Sequence, residues 1–412
     1  MTFTAIRGPG EMRYATAFFG AHLAFIPLFA LLLPRRVAAI APDSAITLLS
    51  ILLLVGGITA SLAHIAAGRF SDRWLRHRDS RRGVIAIGLA TLVAAQVMLA
   101  FAVDSTALLV AIIAFQGALN LMFAPLGALL ADHIADARKG RVAGMLNAAL
   151  PLASFGTTLA AFLFPSDGPG GFLLIAAIGG LVVLPLLLHW PFGPVAAHGP
   201  VVGQTPAAEL APAEQAARSP ASDGQRADYV RLWIARLLIQ LGAAFVINYF
   251  FLYLVERGSA GGASKLMGSL AALATILSVA SAIAAGYWSD RSGQRRPTMI
   301  AASLACAGGL LAMATAFWPL VVAAFILFHV GLTAFLSVDS AMVTQLLSRH
   351  ARRGELLGFM NLTNTLPSIL VPALTLLSIR STAVPDWSVA FFTAGALALA
   401  ATTILSRLKT IR

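Results

Sequence analysis

Long apolar runs divided by short, basic punctuation make up almost the whole chain. The first, Tyr14 to Leu33, contains no Asp, Glu, Lys or Arg. About 20 apolar residues at 1.5 Å per residue cross a hydrocarbon core of about 30 Å, so each such run predicts a membrane-spanning helix. Twelve are expected, near 14–33, 45–67, 84–103, 106–130, 142–165, 171–190, 230–255, 265–287, 298–317, 319–347, 355–379 and 387–406. Pairs as close as the third and fourth predict tight hairpins. The stretch from Pro191 to Asp228 breaks the pattern, being rich in Ala, Pro, Gly, Ser and Gln with few large apolar residues. It reads as a flexible linker. The expected organisation is a six-helix bundle over 1–190, a cytoplasmic linker over 191–229 and a second six-helix bundle over 230–412.

Composition agrees: 58% of residues are hydrophobic and 11% charged, against roughly a quarter charged in soluble domains. The mean hydropathy is +0.84. The net charge of +12 does not signal nucleic-acid binding, because the basic residues are scattered through short loops. If the N-terminus is cytoplasmic, twenty-three of the 29 Lys and Arg fall on the inner side. Five (Arg35, Arg36, Arg257, Lys265 and Arg380) fall outside, and Arg236 lies within a span. Such asymmetry places both termini in the cytoplasm and favours an even number of spans. The first apolar run lacks a small-residue cleavage site, so no removable signal peptide is expected. The single cysteine, Cys306, excludes an intramolecular disulfide and reads as a packing residue.

Two short motifs occur twice in the same order. Gly68-Arg69-Phe70-Ser71-Asp72-Arg73, followed by a basic run ending Arg81-Arg82, returns as Gly286-Tyr287-Trp288-Ser289-Asp290-Arg291, followed by Gly293 and Arg295-Arg296. Ala137-Arg138-Lys139-Gly140-Arg141, preceding Gly144 and Asn147, returns as Ala351-Arg352-Arg353-Gly354-Glu355, preceding Gly358 and Asn361. The offsets (286 − 68 = 218 and 351 − 137 = 214) nearly agree, which implies a duplicated membrane domain. Secondary transporters are built this way, with a site at the repeat interface opened to each side in turn.

These residues resemble the major facilitator superfamily, whose best-known signature is Gly-x-x-x-Asp-Arg with following basic residues in the loop after the second helix. The resemblance covers nearly the whole chain. It departs at Trp74-Leu75-Arg76, where a glycine and paired basic residues commonly follow. It implies two six-helix bundles rocking around a cavity lined chiefly by the first, fourth, seventh and tenth helices. Tyr249-Phe250-Phe251-Leu252-Tyr253 resembles the cation-coupled sugar symporters of that superfamily. The superfamily signature also implies a conformational latch made of Gly68, Asp72, Arg73, Asp132 and Arg141 in the first half and Gly286, Asp290, Arg291, Arg295 and Arg296 in the second. Each aspartate can pair with arginines or accept N–H groups from a helix N-terminus, and Asp132 is expected to pair with Arg73 or Arg141.

Ionisable groups within spans are costly and therefore functional candidates. Asp339 lies about ten residues from Arg349, so roughly 15 Å deep. A carboxylate that passes between dry and hydrated surroundings can take a proton on one face and release it on the other, which makes Asp339 the expected coupling group. Arg236 is its expected counter-ion, an anchor for an anionic solute, or a side chain snorkelling to the interface. His22, mid-span, is a proton-exchange candidate or a packing residue, and His64 and His329 rank below it.

Neutral hydrogen-bonding groups form the expected solute-facing set: Gln116, Asn120, Asn147, Gln240, Asn248, Asn361 and Asn364. Gln116 and Asn120 share a helix face, as do Arg236 and Gln240. Asn147, Ser154 and Thr158, and likewise Asn361, Thr365 and Ser368, align at 3.6 residues per turn. Such stripes suit a hydroxyl-rich solute or interhelical bonding. Tyr249 and Tyr253 read as interfacial belt residues, with stacking on a sugar ring as the alternative.

No phosphate-binding loop, selectivity filter, metal-spaced His/Cys cluster or nucleophile–base pair is present. The expectation is an all-α, twelve-span secondary transporter of the cytoplasmic membrane. It is not an enzyme, needs no cofactor or metal, draws on a proton gradient, works as a monomer and carries a small solute, a sugar or similar polyol being favoured. A drug-type efflux antiporter and a non-transporting assembly factor or sensor are the alternatives.

Overall fold

The computed structural model describes residues 9–134, 136–192, 223–347, 353–379 and 386–408. Among these, eleven helices are long and apolar enough to cross a membrane, and a bent pair supplies a twelfth. In chain order the spans are α1 (Pro9–Ile40), α2 (Pro42–Arg78), α3 (Arg82–Ala100), α4 (Ser105–Leu130), α5 (Gly144–Leu163) and α6 (Gly170–Leu188). There follow α7 (Gly224–Glu256), α8 (Gly261–Ser292), α9 (Arg295–Ala314), α10 (Trp318–Val343), α11 (Phe359–Thr365 with Pro367–Ser378) and α12 (Trp387–Leu405). The fold is the expected all-α polytopic one. Most of the expected linker lies outside the described residues, but helix begins at Asp223, within that segment.

Local chemistry explains the ends. Asp104 caps α4 by accepting from the Ala107 amide at 2.8 Å, and Asp386 caps α12 by accepting from Ser388 and Val389. The helix of α2 ends at Asp79, with φ 51°, and that of α8 at Gly293, with φ 63°. Both signature motifs were expected in loops; they lie instead on the last turns of these two helices. Helix carries its own backbone hydrogen bonds into water, so hydropathy marks where the bilayer ends and not where the helix does.

Prolines mark the irregular spans. In α1, Pro27 is followed by a π-helical turn over Leu28–Leu32 and then by helix over Leu33–Ile40. α5 is divided at Ala148 and Ser154 around Pro151, and α11 bends by 42° before Pro367. The polar ladders expected on α5 and α11 are therefore interrupted. Ser154 sits at a break, Thr158 donates to Gly268 O at 3.0 Å, and Ser368 donates to Thr365 O across the bend.

The packing forms two compact units. Unit 1 comprises Met1–Gly199 and Asn248–Ala272, and unit 2 comprises Pro200–Ile247 and Leu273–Arg412. The end of α7 and the start of α8 thus belong with α1–α6. In unit 1, α4 packs on α2 and α3, and α6 on α1 and α3. In unit 2, α9 packs on both α10 and α12. Small residues set the spacing: a Cβ on Gly88 would lie 2.6 Å from the Met122 amide, and one on Gly331 2.8 Å from the Cys306 amide. Such approach is how helices associate where no hydrophobic effect drives them together. Cys306 is buried, as expected. Large apolar residues such as Leu62, Ile65, Leu181, Ile276 and Ile283 are exposed, as suits surfaces solvated by lipid.

Candidate functional site

Five of the sequence-selected residues meet in unit 2. Arg236 of α7 pairs with Asp339 of α10. Its other terminal nitrogen donates to Asn364 Oδ1 of α11 at 3.0 Å, and Gln240, one turn along α7, donates to the same oxygen at 2.9 Å. Asn364 Nδ2 in turn donates to Asn361 Oδ1 at 2.9 Å. Arg236 and Gln240 meet one acceptor because they are four apart on a helix. The break before Pro367 ends the segment that carries Asn361 and Asn364.

Asp339 is fully buried, and its Oδ1 has no hydrogen-bond partner; neither has Arg236 Nε. A buried carboxylate with one free oxygen is costly. It is also chemically open: that oxygen can take a proton or accept from a ligand hydroxyl. Arg236, 13% exposed at its side chain, is an ion-pair partner and not a residue snorkelling to the interface. The Cβ site of Gly242, also on α7, faces Leu310, so apolar packing continues beside the network.

The unit 1 candidates fall into separate places. His22 is 9% exposed. Its Nδ1 lies 2.9 Å from Phe18 O, and its ring packs against Phe18, Phe25 and Phe123. Gln116 and Asn120 are buried on α4, with Asn120 donating to Gln116 O and its Oδ1 lying 3.0 Å from His64 Nδ1. His64, ranked low from sequence, is therefore joined to a polar pair. Asn248 is 8% exposed in unit 1, and the side chain of Asn147 lies outside the described residues. Tyr249 and Tyr253 are each 1% exposed, which corrects the interfacial-belt expectation. Tyr249 OH lies 2.7 Å from Ser50 Oγ. This segment turns inward because it packs within unit 1, a placement that hydropathy cannot show.

The signature motifs are centred on arginines in the following turn. Arg81 Nε pairs with Asp132 at 2.7 Å, and its Nη1 pairs with Asp72 at 2.9 Å and donates to Ser71 Oγ at 2.7 Å. This corrects the expected pairing of Asp132 with Arg73 or Arg141, both of which are exposed. The left-handed turn at Asp79 brings Arg81 back beneath the helix ends, whereas Arg73 stays on the outer face of α2. In the second copy Arg295 lies 3.8 Å from Asp290 and donates to Ala341 O at 2.7 Å and Gln345 Oε1 at 2.9 Å. Arg296 donates to Ser406 O, and Arg291 to Tyr287 OH at 3.2 Å. An ionic triad in which Arg81 and Asp132 are largely covered and Asp72 is exposed thus has a more exposed, partly neutral counterpart. A Cβ on Gly68 would meet nothing within 4 Å, while one on Gly286 would lie 3.4 Å from Ser337 Oγ. His133, just past α4, packs half-buried against Phe192, and this partial burial lowers its pKa from the usual 6.5. Of the second repeated motif, Arg138 pairs with the buried Glu11; residues 351 and 352 lie outside the described residues.

Helical spans, a duplicated signature and an Asp–Arg–amide network anchored on a buried carboxylate define a secondary-transporter fold. Residues 14–263 and 232–410 both match the Major Facilitator Superfamily profile, and the chain belongs to that superfamily. No curated protein sequence matches it. Solved structures similar to it include a bacterial homolog of the human lysosomal transporter Spinster in an inward-facing, unoccupied conformation (15% identity, 97% of this chain and 95% of that one, TM-score 0.62). A POT family transporter in complex with a thioalcohol-conjugated peptide is also similar (14%, 96% and 95%, 0.71). So is the nucleoside transporter NupG (15%, 98% and 100%, 0.66).

Proposed function

We propose that the chain carries a small, polar organic solute across the cytoplasmic membrane by alternating access, coupled to protons through Asp339. The observation that carries this reading is the network Asp339–Arg236–Asn364–Gln240–Asn361, in which a buried carboxylate with one free oxygen is linked through Arg236 to exposed amide groups. Protonation of Asp339 frees Arg236 from its ion pair. A solute hydroxyl or carboxylate then takes up the guanidinium and amide groups. The amides favour a sugar or similar hydroxyl-bearing solute, and the solutes named for similar structures, peptides and nucleosides, are also rich in hydrogen-bonding groups. The basic-residue asymmetry supports cytoplasmic termini.

The test begins with thermal unfolding of the purified protein against sugars, sugar acids, nucleosides, short peptides and lipophilic cations, since a ligand that binds only the folded state raises the midpoint. Any hit is then reconstituted in liposomes containing a pH-sensitive dye. Asp339→Asn is expected to abolish solute-dependent proton entry while retaining solute exchange. Undiminished proton entry in Asp339→Asn refutes the coupling role. A second reading, efflux of lipophilic cations, rests on the aromatic cluster of Phe18, Phe25 and Phe123 around His22. Stabilisation by lipophilic cations alone would select it.

A further inference from the structure

Away from the Asp339 network, unit 1 holds a cavity of about 510 Å³ where α1 ends, walled by Arg35, Ala38, Ser166, Asp167, Val255 and Lys265 among others. The sequence pattern puts Arg35 and Arg36 in an external loop. In the structure, helix continues beyond the π-helical turn through Ile40, and the two arginines are only 2% and 7% exposed. The extra residue of a π turn rotates the next stretch of helix by roughly a third of a turn.

The two guanidiniums are treated differently. Arg36 is satisfied: Nε pairs with Asp167 at 3.0 Å, Nη1 donates to Ala102 O at 2.9 Å, and the ring of Phe172 lies 5.3 Å away. Arg35 donates from Nη1 to Phe164 O at 2.6 Å, but Nε and Nη2 have no partner. Asp167, the acidic group in the cavity wall, is already engaged by Arg36. Arg35 Nη2 also lies 3.3 Å from the Cβ position of Gly171, in the first turn of α6. The cation therefore sits at the positive end of a helix dipole. A buried guanidinium with two unpartnered nitrogens, beside a second arginine, an exposed lysine and a helix N-terminus, is short of negative charge.

We propose that this cavity binds an organic oxyanion, phosphate or carboxylate, through the Arg35 fork and the Lys265 ammonium. The planar fork suits two oxygens of one anion. Ala38, Ala39, Pro165 and Val255 supply an apolar wall for the carbon portion of the ligand. The oxyanion belongs either to a lipid headgroup entering from the bilayer or to a soluble phosphate or carboxylate compound.

Two measurements on the full chain separate these sources. In phosphatidylcholine nanodiscs, thermal midpoints are followed against glycerol phosphate at constant ionic strength. In neutral detergent, native mass spectrometry compares retention of phosphatidylglycerol with that of phosphatidylcholine. Arg35→Gln and Lys265→Gln are compared with Arg407→Gln, an exposed charge elsewhere in the chain. Arg35→Gln is expected to weaken anion binding about tenfold or more, Lys265→Gln about threefold, and Arg407→Gln not at all. A response to glycerol phosphate in phosphatidylcholine assigns the site to a soluble anion; selective retention of phosphatidylglycerol assigns it to lipid. Should Arg35→Gln fail to fold, Lys265→Gln, an exposed position, carries the test. The proposal is overturned by absence of binding in both measurements. It is equally overturned by unchanged binding in a folded Arg35→Gln, which would leave Arg35 only its bond to Phe164, or by unchanged binding in Lys265→Gln when Arg35→Gln does not fold.

Discussion

The Arg236–Asp339 pair allows a quantitative test by double-mutant cycle. Its side chains are 13% and 1% exposed, so water screens the pair little. Removing one partner of a buried pair costs about 3–5 kcal/mol, because the remaining charge is stranded. Two features move this case to the lower end. Asp339 Oδ1 and Arg236 Nε have no partners, so the pair is not fully satisfied, and Asn364 still accepts from Arg236 after Asp339 is gone. Asp339→Leu is therefore expected to cost about 3 kcal/mol. Arg236→Met should cost less, because a lone Asp339 can neutralise itself by binding a proton. The double variant strands neither charge and should lie within about 1–2 kcal/mol of the parent. The cycle then gives a coupling energy of about 2–3 kcal/mol. Unfolding in mixed micelles titrated with sodium dodecyl sulfate, followed by circular dichroism, measures all four proteins. Additivity of the single effects within about 0.5 kcal/mol would refute the inference that the two residues form one energetic unit.

Other expectations rest on particular contacts. Arg81→Gln strands Asp132 and removes the bond to Ser71; it should destabilise by about 3 kcal/mol, whereas Arg295→Gln, with partly neutral and more exposed partners, should cost about 1 kcal/mol, both read in the same unfolding assay. Gly331→Leu forces side-chain atoms into the α9 backbone and should cost more than about 3 kcal/mol or abolish folding, seen as loss of monodisperse protein by size-exclusion chromatography. For His133, the folded-state pKa lies below the unfolded value of 6.5, so the fold disfavours its protonation. The resulting loss of stability is absent above that pH and grows as pH falls below it; the thermal midpoint of His133→Gln should therefore fall less than that of the parent between pH 7.5 and 5.5.

Much of this protein could be read from the chain alone. The cost of an unpaired backbone polar group in lipid leaves helix as the economical way to cross with long apolar runs, so span number and fold class follow from hydropathy, and duplication follows from the repeated motifs. Asp339, Arg236, Gln240, Asn361 and Asn364 were also singled out by sequence, because polar groups inside spans are conspicuous. Their joining into one network was not, since helix rotation, set by packing, decides which faces meet. Arg81 escaped notice within a run of basic residues: only the turn at Asp79 distinguishes it from Arg73. The same holds for Arg35 and Tyr249, which hydropathy assigns to the membrane boundary and the structure buries. Hydropathy averages over a segment and locates it along the membrane normal. Azimuth, helix breaks at Pro27, Pro151 and Pro367, and the pairing of charges depend on neighbours distant in sequence, so only the tertiary structure decided them.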